Sequence, residues 1–305
     1  FGTYGGGLTK LKDGKFETFR PGLDVNSNII KSVIEDREGN YWLGTWNGIF
    51  KYNGDRFMTY NSNDGLSNNN ILSVFPDSAG KIWFGTLAGG VNYFDGNVFK
   101  SITTKDGLRS NTIWCISKDK EGFLWFGTTN GPARYNQLTA KIDLPYPELQ
   151  QLIIYAFLKD KQGFYYFGTD KGIYRYDKEK LLKIGVGEGL ANDKVRVVFE
   201  DSQGVIWIGT LKGLYYLKNE KAISFDEEYN LPKAPITSII EDNNGNLLFS
   251  TYDFGVIRYS RRNQADPVKM INKQLGLNNE KILFNYLDKR SKLWLGTSEG
   301  VDNID

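Results

Sequence analysis

The side chains that carry most chemistry at neutral pH are sparse in this chain. Its 305 residues include no histidine, which removes the commonest general base and the commonest metal ligand together. The one cysteine, Cys115, cannot form an internal disulfide and does not fix the redox compartment. Acidic residues are plentiful, so a carboxylate pair for glycoside cleavage is formally open, but no motif fixes such a pair. A His/Cys metal cluster is excluded by composition, and no catalytic residue, metal or cofactor is expected.

What recurs is a set of Asp, Gly and Trp at constant spacing. Asp begins an Asp-x-x-Gly turn at Asp36/Gly39, Asp77/Gly80, Asp119/Gly122, Asp160/Gly163, Asp201/Gly204 and Asp242/Gly245, and at Asp288 the fourth position is Ser291. One reading is a calcium loop, strongest at Asp242-Asn243-Asn244-Gly245-Asn246. The sequence favours a tight turn, in which Asp bonds its own backbone and Gly takes a positive φ, because the bidentate Glu of a calcium loop is missing. The Trp residues at 42, 83, 125, 207 and 294, replaced by Tyr166 and Leu248 in two copies, allow a sugar-stacking role. Their place in the middle of an apolar strand favours packing between neighbouring sheets instead.

These residues belong to a repeat. Gly39-Asn40-Tyr41-Trp42-Leu43-Gly44-Thr45 returns as Gly80-Lys81-Ile82-Trp83-Phe84-Gly85-Thr86, and again down to Ser291-Lys292-Leu293-Trp294-Leu295-Gly296-Thr297. The chain opens on the tail of one more copy, Phe1-Gly2-Thr3. Successive Thr positions (3, 45, 86, 128, 169, 210, 251, 297) are 42, 41, 42, 41, 41, 41 and 46 apart. A period near 42 with a strand-like core predicts a propeller-type array.

One repeat gives the blade. Asn70 to Asp77 reads as a short strand, Asp77-Ser78-Ala79-Gly80 as a turn, and Lys81 to Thr86 as a strand buried on both faces. Gly89 and Gly90 lead into Val91-Asn92-Tyr93-Phe94, and Asp95-Gly96 marks a hairpin into an outer strand ending at Ile102. The Gly-Thr after each Trp should let adjacent blades approach and let the Thr hydroxyl bond a neighbouring strand. Linkers such as Asp64-Gly65-Leu66-Ser67-Asn68-Asn69-Asn70-Ile71 should carry the outer strand back to the next blade, with Leu66 in the seam. Two linkers depart: Asp143-Leu144-Pro145-Tyr146-Pro147-Glu148 is stiffened by proline, and Arg258 to Asp266 reads as a solvated outer loop with surface arginines.

The expected fold is all-β: a β-propeller of four-stranded antiparallel blades, seven in number, closed by N- and C-terminal strands in one composite blade. Eight blades are the alternative. Phe1 to about Leu11 and Gly296 to Asp305 would then compete for one strand position. Residues 1–305 are read as a single propeller domain and, because the chain starts in mid-repeat, as a fragment of a longer protein. Net charge is +2, from 38 basic and 36 acidic residues, so nucleic acid is not an expected partner. No apolar run approaches the roughly 20 residues of a membrane span, so no membrane insertion by this segment is expected.

Propellers bind partners through the loops after the second strand and the linkers into the first. Here those loops offer Tyr4, Trp46-Asn47, Thr129-Asn130, Asp170-Lys171, Lys212, Tyr252-Asp253 and Ser298-Glu299. The linkers offer Asn26, Asn28, Asn68, Asn69, Arg109, Asn111 and Asp193. The candidate ligand-binding set is Trp46, Asn47, Asn69, Arg109, Asp170, Lys171, Lys212, Tyr252 and Asp253. Trp46 and Tyr252 stand off the packing position, beside polar groups. A flat apolar face next to Asn, Asp and Lys is what a sugar ring needs, while an ordinary loop aromatic is the plainer alternative.

The pattern Asp-Gly-Leu…Asn-x-Ile…Asp-x-x-Gly-x-Ile-Trp-Phe-Gly-Thr-x-x-Gly-Gly resembles the two-component regulator propeller repeat, over essentially the whole chain. Such repeats occur in the periplasmic sensor regions of Bacteroidetes hybrid two-component systems, ahead of a membrane span, a histidine kinase and a DNA-binding regulator. The resemblance implies a non-catalytic, periplasmic sensor segment responding to oligosaccharides from polysaccharide breakdown, with other sensor domains or a second copy as partners. A protein–protein scaffold without its own small-molecule site is the alternative. An enzyme similar to the streptogramin-inactivating propeller lyases is the least favoured reading, because those use a histidine.

Overall fold

The computed structural model describes residues 8–12, 15–19, 26, 29–177, 179–277, 279–287, 293–297 and 301–304. Phe1-Gly2-Thr3, Tyr4, Asn28, Asp288, Ser291 and Ser298-Glu299 lie outside the described residues, as does the side chain of Trp294.

Six four-stranded antiparallel sheets follow one another, each with its strands in sequence order. They are the blades of a β-propeller. The second blade runs Ile71–Pro76, Ile82–Thr86, Val91–Phe94 and Phe99–Ile102. At the two ends of the sequence stand smaller sheets. The N-terminal one pairs Leu8–Lys12 with Lys15–Phe19, and the C-terminal one joins Ile282–Leu287, Leu293–Thr297 and Val301–Ile304. The place beside Leu293–Thr297, for which both chain ends are candidates on sequence, is taken by Val301–Ile304. The chain divides into two compact units, Phe1–Phe157 and Leu158–Asp305.

The second strand of each four-stranded blade is buried from its second residue onward because both of its faces meet apolar neighbours. Trp42 packs with Leu66, Ile71 and Phe84 across the seam of the first and second blades, and Trp83 with Leu108, Ile113 and Phe126 across the next. In the second unit, Trp207 packs with Ile236, Phe249 and Ile257, and Leu248 with Leu277, Ile282 and Leu295. Leu66, Leu108, Leu190 and Leu277 from the linkers are all buried in these seams. The Gly of Gly-Thr is where the next blade touches. A Cβ on Gly44 would stand 2.7 Å from Ile71, and one on Gly209 would stand 2.7 Å from Ile236.

The repeated Asp does more than close its turn. Its Oδ1 accepts the backbone N–H four residues on, at Asn40, Lys81, Phe123, Phe164, Val205 and Asn246. Its Oδ2 accepts the indole N–H six residues on: Trp42 to Asp36, Trp83 to Asp77, Trp125 to Asp119 and Trp207 to Asp201, at 2.7–3.0 Å. Where Leu248 replaces Trp, Asn246 Nδ2 takes the place of the indole on Asp242, at 2.7 Å. Among the described residues the Asp242 side chain accepts only from its own turn, as a structural Asp requires. Burial opposes ionisation of Asp36, Asp77 and Asp201, but the gathered donors outweigh it and hold these carboxyls below the ordinary value. The Thr hydroxyl closes its own hairpin: Thr45 Oγ1 donates to the Gly48 carbonyl at 2.9 Å and accepts the Asn47 N–H at 3.0 Å.

The linkers fold as capped 3-10 turns. In Ser62–Asp64, Asn61 and Asp64 form a capping box and Gly65 ends the turn at φ 100°, which only glycine adopts without strain. The Asp-Gly pair is thus a helix end here, not a hairpin. The proline-containing linker makes its turn at Pro147–Leu149 and buries Leu149.

The linker after the fifth blade differs, forming a short α-helix, Phe225–Glu228 (α1), capped by Ser224. Its Asp226 is buried and accepts the Leu214 N–H at 2.8 Å, while Oδ1 has no partner among the described residues. Burial pushes the Asp226 carboxyl up to about 6, against the Leu214 hydrogen bond and the charge of Lys233. The outer loop of the sixth blade also departs from expectation. Arg258 and Arg262 are exposed, but Arg261 turns inward, because the buried Asp201 carboxylate gives its guanidinium a partner.

Candidate ligand-binding site

The loops after the second strands and the ends of the linkers meet at one end of each blade. Gly48 N–H donates to Asn69 O, Gly90 to Asn111 O, Gly172 to Asp193 O and Gly255 to Glu280 O. These bonds bring each hairpin against the linker that enters the next blade.

In the first unit, Trp46 and Asn47 form the two-residue turn between Tyr41–Thr45 and Gly48–Tyr52. The Trp46 ring is half-buried, with the Lys31 ammonium 4.9 Å from its centroid, while Asn47 is exposed. Asn69 stands on the adjoining linker. Its Oδ1 accepts the Ser62 N–H at 2.8 Å, and Asn111, Asp193 and Glu280 make the same bond to Thr104, Val186 and Lys273 in their own linkers. That recurrence makes the Asn69 carbonyl a linker brace. Arg109 reaches the Leu144 carbonyl at 3.5 Å, and its Nη1 is buried without a hydrogen-bond partner among the described residues.

In the second unit, Asp170 and the linker residue Asp193 both act on Tyr174. Burial, and then these two carboxylates, push its phenol above the ordinary value. Lys171 and Lys212 are exposed, and their backbone N–H groups close the hairpins on Thr169 and Thr210. Tyr252, Asp253 and Phe254 form an exposed loop, with the Lys281 ammonium 5.9 Å from the Tyr252 ring.

Sequence reasoning missed a set of side chains at this same end. The first strand of most blades carries a register shift one residue in: Ile30/Ser32, Ile71/Ser73, Ile113/Cys115, Val195/Val197, Ile236/Ser238 and Ile282/Phe284. The skipped residue is Lys31, Leu72, Trp114, Arg196, Thr237 or Leu283. A β-bulge leaves one residue out of the ladder and re-aims its side chain. The bulge lies opposite the Gly-Thr of the second strand, so the re-aimed side chains stand beside the hairpin turns. Lys31 reaches Trp46 in this way, and Trp114 meets Tyr155 edge-on at 5.4 Å. A signal was present. Between a constant Ile or Val and, in most copies, a small residue, this one position varies from Lys to Leu, Trp, Tyr, Arg and Thr.

The hairpin ends of each unit therefore offer partly exposed aromatic faces, ammonium groups and amide or carboxylate acceptors, groups complementary to a ligand with apolar faces and hydroxyls. Among the described residues no cluster of His, Cys, Asp and Glu could hold a metal ion.

The model of the two-component regulator propeller matches residues 24–47, 65–88, 107–130, 189–212 and 230–253. Five of its repeats are thus similar to the two-component regulator propeller repeat. Each matched repeat runs from a linker through the first two strands into the hairpin turn, the segment that assembles the surface above. The repeat with Tyr166 in place of Trp and the C-terminal repeat, with Ser291 in place of Gly, lie outside the matched segments. No curated protein matches the chain.

Solved structures share the fold. The extracellular domain of the hybrid two component system BT3049 from B. thetaiotaomicron is 20% identical with a TM-score of 0.75, over 90% of this chain and 40% of that one. PorZ, a surface component of the type-IX secretion system of Porphyromonas gingivalis, is 16% identical with a TM-score of 0.71, over 96% and 49%. Virginiamycin B lyase from Staphylococcus aureus is 12% identical with a TM-score of 0.66, over 90% and 93%. The chain thus spans less than half the length of the first two.

Proposed function

We propose that this chain is the ligand-recognition propeller of an extracytoplasmic two-component sensor, a single propeller domain in the periplasm that responds to oligosaccharides from polysaccharide breakdown. The observation that carries this reading is the placement of aromatic side chains outside the packing positions. Trp46, Trp114, Tyr155 and Tyr252 all stand at the hairpin ends, away from the repeated Trp position of the second strand. Sugar rings bind through C–H faces on aromatic rings and through hydroxyls on amide, carboxylate and ammonium groups. Asn47, Arg109, Asp170, Lys171, Lys212 and Asp253 supply those groups. The repeat family, and the likeness to an extracellular domain of a hybrid two component system, support a sensor role. The absence of histidine from the sequence supports recognition without catalysis. No described helix is long and apolar enough to cross a membrane.

The test is direct binding to an array of oligosaccharides from plant and host polysaccharides. Saturable binding to one structural class, unaffected by chelator, is the expected result. Binding to none, by folded protein, would sink the sugar reading. A second reading rests on one observation. Tyr252, Phe254 and Leu275 are exposed at the sixth blade and its following linker. Exposed apolar side chains of this kind suit contact with another protein domain or a second copy, in which case the propeller acts as a scaffold.

A further inference from the structure

We infer that the seam between the fifth and sixth blades binds a small uncharged aromatic ring carrying a hydroxyl or ring N–H, at a site independent of the hairpin-end surface. A cavity of about 180 Å³ opens at this seam. Trp207, Tyr216, Phe225, Tyr229 and Tyr259 line it. They come from the second and third strands of the fifth blade, from α1 and its C-cap, and from the third strand of the sixth blade. Their rings meet steeply: Phe225 lies at 75° to Trp207 and 74° to Tyr259, with centroids 5.3 and 5.1 Å apart. The wall therefore shows both ring edges and ring faces, which a further aromatic ring complements. For scale, an apolar cavity of about 150 Å³ admits benzene.

Two charged side chains complete the lining. Arg261 donates through Nη2 to buried Asp201 and lies 5.7 Å from the Tyr259 ring centroid. Its Nη1 is buried and has no hydrogen-bond partner among the described residues. Glu228, which is exposed, accepts the Tyr216 hydroxyl at 2.9 Å. An anionic ligand would face Glu228, and a cationic one would face Arg261. A neutral hydroxyl can accept from the guanidinium and donate to the carboxylate, and a ring N–H can donate to the carboxylate. The site uses a geometry common to the repeat with uncommon residues. At the seam of the second and third blades Gln137 takes the place of Arg261, donating to Asp77 at 2.7 Å, and the linker is the ordinary 3-10 turn in place of α1.

The test is calorimetric titration of the whole chain with p-cresol and with indole, alongside benzoate, benzylamine and glucose. Saturable binding of p-cresol or indole is expected, with benzoate, benzylamine and glucose at least about tenfold weaker. Val205→Phe, which fills the cavity, should abolish binding while the protein stays folded by circular dichroism, and Arg261→Gln should weaken it. If Val205→Phe does not fold, the indole N–H resonance of Trp207 in the wild-type protein gives the answer, since it must shift on adding p-cresol. No saturable binding, binding unchanged in the variants, an unmoved Trp207 resonance, or glucose binding in preference to the phenol would each overturn the proposal.

Discussion

In four repeats one aspartate carboxylate gathers backbone and indole donors and thereby ties the turn before the second strand to the Trp that fills the seam. Replacing the indole by a phenyl removes that tie while keeping an aromatic ring in the seam. Trp83→Phe should cost about 1–3 kcal/mol, because Asp77 then keeps a buried oxygen with one donor fewer. Urea unfolding measures this, and a loss as small as that of an exposed aromatic would contradict it. The pH dependence has a defined sign. Asp36, Asp77 and Asp201 have folded pKa values below their unfolded ones, so their contribution is present above the unfolded value near ~4 and is lost as pH falls through the folded values. Asp226 runs the other way. Its folded pKa is raised to about 6, so its contribution is present at low pH and is lost as pH rises through that value. Asp226→Asn keeps an oxygen for the Leu214 N–H and removes the buried charge. It should stabilise the protein by about 1–2 kcal/mol at pH 7 and leave it nearly unchanged at pH 4. Equal destabilisation at both pH values would show that the charge is not the issue.

At the scale of elements, blade spacing depends on the glycine of the second strand. A Cβ on Gly85 would clash with Ser73 and stand 2.9 Å from Ile113 of the next blade. Gly85→Ala should therefore cost about 1–3 kcal/mol by overpacking. Gly187→Ala, in a 3-10 linker with open space around it, should change stability by less than about 0.5 kcal/mol. Thermal unfolding of the two variants side by side checks the contrast. The strands, the turns and the seam role of the linker Leu were legible in the sequence, because each follows from local periodicity or turn chemistry repeated along the chain. The first-strand bulges showed only as a variable position between constant neighbours, since a bulge exists only in the register between two strands and Lys31 or Trp114 reads as an ordinary strand residue. The inward turn of Arg261 was not legible, because its partner Asp201 lies 60 residues away. Helix α1 did leave a trace: Ser224-Phe225-Asp226-Glu227 has the spacing of a capping box, set where two other copies have Asp-Gly. Of the candidate binding residues, Trp46, Asn47, Tyr252 and Asp253 stand at the hairpin turns where the repeat places them, while Asn69 has a bracing duty that only the folded linker reveals.

For the molecule as a whole, the repeat builds stability from seam to seam and leaves the hairpin ends free to vary, which is where recognition is proposed. A ligand that binds the folded state alone must raise the unfolding midpoint as its concentration rises. The most direct measurement is a thermal-shift titration of the whole chain with oligosaccharides from polysaccharide breakdown, run in parallel on Trp46→Ala. The expected result is a concentration-dependent rise for one oligosaccharide class that is lost in Trp46→Ala, while the variant alone unfolds close to the wild type because its ring stands off the repeated packing position. A rise that persists undiminished in Trp46→Ala would contradict the placement of the site, and no rise with any oligosaccharide would contradict sugar recognition by this propeller.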